Sequence, residues 1–319
     1  MRISRRSLLK GTAAAGTAVA LTGVADARGR IEPSPTAVGL LFDSTLCVGC
    51  RGCQSACKVA NQLPADRVSV EGAAYDAPPD LNSTTKTIIK ATPAGGGLAF
   101  IKQQCMHCVD PACVSACMLG ALHKEGEGNR RVEGERKGTG IVLWDKLTCV
   151  GCRYCQIACP FNVPKFEWLE PFPAIVKCEL CRHRADPKRG GALAVANPAC
   201  AEVCPRGAVI YGYRAELLAE AKRRLAAAPT RYAGGVYGEV EGGGTQVLIL
   251  AGAGVTPEQL GLPRLSARSP AQFSETVSHA PYLYGLTPIA LYAAFSLIVL
   301  RNRHEEQAAE HAEHEEDAK

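Results

Sequence analysis

Sixteen cysteines carry the chemistry that this chain can do. Cys47, Cys50, Cys53 and Cys57 are spaced C-x2-C-x2-C-x3-C, and Cys149, Cys152, Cys155 and Cys159 repeat that spacing. Cys105, Cys108, Cys113 and Cys117 read C-x2-C-x4-C-x3-C, and Cys178, Cys181, Cys200 and Cys204 read C-x2-C-x18-C-x3-C. None is left over. A cubane [4Fe–4S] cluster takes four thiolates, three of which one tight loop can supply. In two-cluster ferredoxins the fourth cysteine of such a run crosses to the other cluster. Sixteen ligands therefore imply four [4Fe–4S] clusters, with iron bound through these same cysteines, and four centres make a wire for electrons. Zinc prefers paired C-x2-C hooks, and three cysteines in seven residues over-supply one zinc corner. An even cysteine count also fits a disulfide framework, but such scaffolds are usually short chains without a core, and this one has 319 residues.

The elements that must position these thiols are short. β-Prone runs at Gly39–Phe42 and Ile141–Trp144 precede the two C-x2-C-x2-C loops, and Ala208–Tyr213 reads as a strand after Cys204. Gly49 and Gly151 sit inside the loops, where a missing Cβ permits a tight turn. Asp43–Cys57 and Asp145–Cys159 agree at ten of fifteen positions without a gap. QCMHCVDPACVSAC is likewise similar to KCELC followed by NPACAEVC, so the motif order is A, B, A′, B′, an internal duplication. Pro160 and Pro205 follow fourth-position cysteines, whereas Lys58 and Met118 take the other two places. His107 lies within a ligand loop and reads as a supporting or core residue, because its cluster already has enough thiolates.

The flanks speak of location. Ser4-Arg5-Arg6-Ser7-Leu8-Leu9-Lys10, a weakly apolar stretch to Val24 and small residues Ala25-Asp26-Ala27 form a twin-arginine signal over residues 1–27. That route suits clusters built in the reducing cytoplasm and exported in a folded protein. Ala280–Leu300 is long and apolar enough for about 30 Å of helix at about 1.5 Å per residue, a membrane span. Arg301, Arg303 and His304 beyond it place the C-terminus in the cytoplasm and the cluster domain on the periplasmic side. Residues 301–319 form an acidic, solvated tail. Residues 28–225 read as the four-cluster domain. Residues 226–279 read as linker and partner-docking segment, with an extended glycine-rich stretch at Gly234–Gly244 and a strand at Gln246–Leu250, after an amphipathic helix near Arg214–Ala227.

Net charge excludes little. The formal +5 falls to +2 once residues 1–27 are removed, leaving 32 basic against 30 acidic residues. All-cysteine clusters would make the loaded protein acidic, so nucleic acid is not expected as a partner. Arg51, Arg153, Lys177 and Arg182 lie near the cysteines, as counter-charges to the clusters or as ordinary surface. The chain has no P-loop, no glycine-rich dinucleotide fingerprint and no serine elbow, and it is not expected to be an enzyme by itself.

The segments LFDSTLCVGC, QCMHCVDPACVSAC, TCVGCRYCQIACPFNVPKFEW, KCELC, EVCP-x-GAVI and EGGGTQVLIL resemble the HybA-type iron–sulfur subunits of hydrogenase 2. Their cysteine motifs are shared with the wider four-cluster, ferredoxin-like electron-transfer subunits of molybdopterin enzymes, and EGGGTQVLIL tips the resemblance toward the hydrogenase type. The resemblance implies an α+β fold of tandem two-cluster ferredoxin-like modules with one C-terminal transmembrane helix. It also implies the ligand sharing: Cys47, Cys50, Cys53 with Cys204; Cys105, Cys108, Cys113 with Cys159; Cys149, Cys152, Cys155 with Cys117; and Cys178, Cys181, Cys200 with Cys57. The partners implied are the small and large subunits of a [NiFe] hydrogenase and a quinone-binding integral membrane subunit. The alternatives are a β subunit of a molybdopterin oxidoreductase, such as formate dehydrogenase, and a stand-alone redox or assembly protein.

Overall fold

The computed structural model describes residues 30–66, 78–94, 97–126, 138–168, 173–184 and 197–274, with 292, 293, 295–297, 299–301 and 303 near the C-terminus. The chain divides into a unit of Gly29–Phe273 and a second unit of Met1–Arg28 with Ser274–Lys319. In the first unit the elements run β1 (Val38–Asp43), α1 (Gly52–Ala60), β2 (Ile88–Ala94), β3 (Gly97–Gln103), α2 (Ala112–Ser115), β4 (Leu122–Lys124) and β5 (Val142–Trp144). There follow α3 (Tyr154–Ala158), β6 (Lys165–Phe166), β7 (Ile175–Val176), α4 (Ala199–Glu202), β8 (Val209–Tyr213), α5 (Arg214–Ala227), β9 (Tyr232–Tyr237) and β10 (Val247–Gly252).

The main sheet has the order β8-β1-β10-β9. β1 runs antiparallel to β8, with Phe42 opposite Val209, and parallel to β10, with Leu40 opposite Val247. Both faces of β1 are covered, which is why its sequence is continuously apolar rather than alternating. Period-two geometry sends Leu41, Leu248 and Leu250 to one face, against Leu217 and Ala221 of α5. Leu40, Phe42, Val247 and Ile249 point to the other face, into a core shared with Cys53, Cys105, Cys178 and Cys200. A Cβ on Gly39 would lie 1.8 Å from the Gln246 carbonyl oxygen, so only glycine lets β1 and β10 close there.

The cysteine motifs interlock through these elements. The strand before motif A (β1) pairs with the strand after motif B′ (β8), and the strand before A′ (β5) pairs antiparallel with the strand after B (β4). The helices follow the same rule: α1 of A packs on α4 of B′, and α2 of B on α3 of A′. One ferredoxin-like half thus joins the first and last motifs, A and B′, around the other half, built from the two motifs between them, B and A′.

Residues 234–244 are not the extended linker expected from their glycines. They complete β9, which joins β10 with Val236 opposite Leu250, and then make tight turns through Gly238, Gly242, Gly243 and Gly244, all at positive φ. Their neighbours in the sheet, not their own side chains, supply the order. The first unit accordingly extends well past residue 225, with Leu260 and Ala271 fully buried.

The signal segment 1–27, residues 280–291 of the expected span and the tail beyond 303 lie outside the described residues. Those described between 292 and 303 are helical and exposed, and among the described residues no helix is long and apolar enough to cross a membrane.

Candidate metal centres

The four motifs wrap their cysteines by two recurring backbone devices. In A and A′ the chain turns through Gly49 and Gly151, both at φ 70°, then through Arg51 (59°) and Arg153 (64°), before α1 and α3 start. In B and B′ the left-handed residues are His107 (46°) and Leu180 with Cys181 (48° and 53°); Pro111 and Pro198 then open α2 and α4. Non-glycine residues at positive φ are strained, and such strain clusters at functional sites. Here it turns successive backbone N–H groups inward, a concavity suited to anionic groups.

Four groups of thiols result. Cys47, Cys50, Cys53 and Cys204 line a space of about 360 Å³ under Phe42 and Val209. Cys57, Cys178, Cys181 and Cys200 line another of about 310 Å³. Cys117, Cys149, Cys152 and Cys155 share a third, more apolar one of about 780 Å³. The thiols of Cys105, Cys113 and Cys159 lie near enough to Cys108 to oppose its ionisation. All sixteen cysteines are free of disulfides.

Burial pushes these thiols up: Cys53 to about 12, and Cys57, Cys155 and Cys159 to about 11. Cys108 and Cys178 are raised well above the ordinary thiol value, chiefly by loss of solvent. A thiolate is therefore unfavourable here without a cation to replace its proton, and iron is such a cation. The sulfurs also accept N–H groups, from Gly151 to Cys149, Leu180 to Cys178 and Leu122 to Cys117, each at 3.4 Å. Among the described residues no three His, Cys, Asp or Glu side chains close around a single ion. Cluster thiolates each cap a different iron and stand further apart.

Positive charge is held nearby. Lys102 on β3 is buried, with Nζ hydrogen-bonded to Thr87 Oγ1 at 2.9 Å and to Gln104 Oε1. Burial works against its charge, but the negative charge of Cys200, Cys53, Cys178 and Cys57 as thiolates outweighs burial and raises its ammonium above the ordinary lysine value. It thus faces two thiol groups at once. Lys177, one of the cations singled out from sequence, is buried and donates to the Val142 and Cys178 carbonyls. Arg153 instead stacks over Trp168 at 4.5 Å and Phe166 at 5.2 Å, and Arg182 pairs with Glu125 at 2.9 Å. His107 is buried, as expected, and its Nδ1 accepts the Val142 N–H at 3.0 Å. Burial, then Lys177 and Lys124, keep it neutral, so the ring proton is on Nε2.

Sequence reasoning missed several residues that build the site. EGGGTQ lies against the Cys105–Cys108 loop: Val109 N–H donates to the Gly244 carbonyl at 2.9 Å, and Gln246 N–H to His107 at 3.1 Å. Arg214 Nε holds the Thr245 carbonyl at 2.7 Å. Gln104 and Trp144, unremarkable in sequence, line two of the thiol spaces. The buried nitrogens Gln104 Nε2, His107 Nε2 and Trp144 Nε1 have no hydrogen-bond partner among the described residues. Buried donors are rarely left so, and unpaired N–H groups around thiol-lined spaces fit a bound group with acceptor atoms, as inorganic sulfide provides. The residues therefore fit [4Fe–4S] clusters.

Fold and thiol geometry define a ferredoxin-like iron–sulfur protein, an electron-transfer subunit of an oxidoreductase. Residues 97–214 match the 4Fe–4S dicluster domain, and residues 2–22 match the twin-arginine translocation pathway signal sequence, which marks the chain for export by that route. The chain is 40% identical to the hydrogenase-2 operon protein HybA of Escherichia coli O157:H7, over 94% of this chain and 96% of that protein. It belongs to the HybA family of iron–sulfur proteins. It is also 33% identical to the iron–sulfur subunit of the nitrate-inducible formate dehydrogenase of Escherichia coli K12, over 71% of this chain and 72% of the relative. A third relative, formate dehydrogenase 2 subunit beta of Nitratidesulfovibrio vulgaris, is 34% identical over 60% of this chain and 84% of its own length.

Proposed function

We propose that this protein relays electrons between a [NiFe] hydrogenase dimer and a quinone-binding integral membrane subunit through four [4Fe–4S] clusters. In this reading Cys47, Cys50, Cys53 and Cys204 hold the first cluster, and Cys105, Cys108, Cys113 and Cys159 the second. Cys149, Cys152, Cys155 and Cys117 hold the third, and Cys178, Cys181, Cys200 and Cys57 the fourth. When bound, the clusters supply one-electron carriers. The protein makes no bond itself. Its side chains bury half of the thiols and leave Cys50 and Cys152 exposed, and Lys102 and Lys177 offset the negative charge that all-thiolate ligation brings.

Location completes the proposal. The twin-arginine signal directs export, and the apolar segment 280–300 anchors the chain, with Arg301 and Arg303 on the cytoplasmic side and the cysteine domain outside. The observation that carries the hydrogenase reading is extent: likeness to HybA runs over 94% of the chain, against 71% for the nitrate-inducible formate dehydrogenase subunit. The 33–34% identity to formate dehydrogenase subunits favours a second reading, a β subunit of a molybdopterin oxidoreductase. Isolating the intact membrane complex decides between them. Nickel in the complex, with hydrogen-dependent quinone reduction, supports the first. Molybdenum or tungsten without nickel, with formate-dependent reduction, overturns it.

A further inference from the structure

Two of the three unpartnered buried N–H donors line a thiol space, each a different one. Gln104 borders the space of Cys57, Cys178, Cys181 and Cys200, together with Thr87. Its amide orientation is fixed. Lys102 Nζ, which can only donate, is bonded to Oε1, so Nε2 is the atom left over. Trp144 borders the space of Cys117, Cys149, Cys152 and Cys155, and its indole Nε1 can act only as a donor. Its backbone N–H is already taken by Glu179 Oε1 at 3.0 Å, which holds the residue in place. A buried donor without an acceptor loses its hydration with nothing in return, unless the space beside it holds an acceptor.

We propose that Gln104 Nε2–H and Trp144 Nε1–H each donate a hydrogen bond to a sulfur of the cluster bound in their own space, and so raise the reduction potentials of those two clusters. Reduction adds negative charge to the cluster. A donor to its sulfur stabilises the reduced form more than the oxidised one, and the potential moves upward. The two residues thereby set one cluster in each ferredoxin-like half apart from the other cluster of that half. This rests on the four-cluster reading above.

The test uses the full-length, anaerobically purified, cluster-loaded protein. Wild-type iron content and reduced-state electron paramagnetic resonance (EPR) come first, because iron far below about sixteen per chain would fail the site reading itself, and the proposal with it. Trp144→Phe keeps the ring and removes the N–H; Gln104→Met keeps the length and removes the amide. Each is expected to retain full iron and to move one midpoint potential, a different one for each variant, to more negative values in an EPR-monitored redox titration. Full iron with all four potentials unchanged overturns the proposal. Should a variant lose its cluster, unaltered protein decides. Indole-¹⁵N labelling marks only Trp144 and Trp168, and pulsed EPR is expected to show a ¹⁵N coupling that survives Trp168→Phe. For Gln104, side-chain amide ¹⁵N labelling should give a coupling to a second cluster that Gln104→Glu removes. No coupling from either label overturns the assignment.

Discussion

Asp43 and Arg224 form an ion pair, Oδ2 to Nη1 at 3.0 Å, that ties the strand end entering the first cysteine loop to helix α5. Asp43 is fully buried and also accepts from Tyr232 Oη at 3.0 Å and from the Thr45 N–H and hydroxyl. The equivalent Asp145 of the repeat accepts locally, from the Leu147 N–H and from Thr148 Oγ1. Arg224→Met leaves a buried carboxylate without its cation, and breaking such a pair costs about 3 kcal/mol. Thermal unfolding of the loaded protein should therefore shift down by several degrees, with iron content unchanged. An unshifted transition would mean that Tyr232 and Thr45 suffice.

Ligand sharing between distant motifs gives the second prediction. Cys204→Ser and Cys47→Ser should perturb the same EPR centre, although one lies in motif B′ and the other in motif A. Cys178→Ser should perturb another. If Cys204→Ser instead altered the centre affected by Cys178→Ser, each motif would hold its own cluster and the crossed arrangement would be wrong.

Lys58, where the repeat has Pro160, shows how far local sequence could be read. Helix α3 stops at Ala158 and Cys159 is extended, which suits a proline next; α1 continues through Cys57 to Ala60. Lys58 Nζ then reaches Asp66 at 2.7 Å, the Pro64 and Thr84 carbonyls and Thr85 Oγ1. Lys58→Pro should cost about 3 kcal/mol by breaking the helix, and Lys58→Met should cost less, because the part-buried Asp66 loses its cation but keeps Gln54 and Thr85. Denaturation midpoints of both variants check this. Equal stability of wild type and Lys58→Pro would show that α1 does not need its last turn.

Strand positions β1, β5 and β8 and the extent of α5 were legible because their apolar patterns are local. What binds them was not. β1 meets β10 across two hundred residues of chain, and the glycines of 234–244 concealed a strand whose order comes from β10. Gln104 and Trp144 gave no signal either, since their role depends on the spaces they line rather than on any motif. The cysteines were readable at once because ligand spacing is a property of the loop alone; their grouping needed the pairing of β1 with β8 and β4 with β5.

Export should depend on the paired arginines. Replacing Arg5 and Arg6 by lysine should leave a folded, iron-loaded protein in the cytoplasm, because the transporter reads that pair. Fractionation followed by iron analysis checks it. Normal amounts of the variant in the periplasmic or outward-facing membrane fraction would remove the signal reading.

Deletion of everything after Ser278 separates anchoring from conduction. No cysteine lies beyond Cys204, so the truncated protein should bind its full iron and be exported. It should lose stable membrane attachment, because the segment 280–300 is the one proposed to span the bilayer. Hydrogen oxidation with a soluble dye should persist, since the catalytic metal belongs to the proposed partner dimer. Hydrogen-dependent quinone reduction should fall, because the relay is no longer held beside the quinone-binding subunit. Undiminished quinone reduction would show that docking of the cysteine domain, not this segment, holds the relay in place. Loss of the dye-linked reaction as well would show that the protein also stabilises the dimer that feeds it.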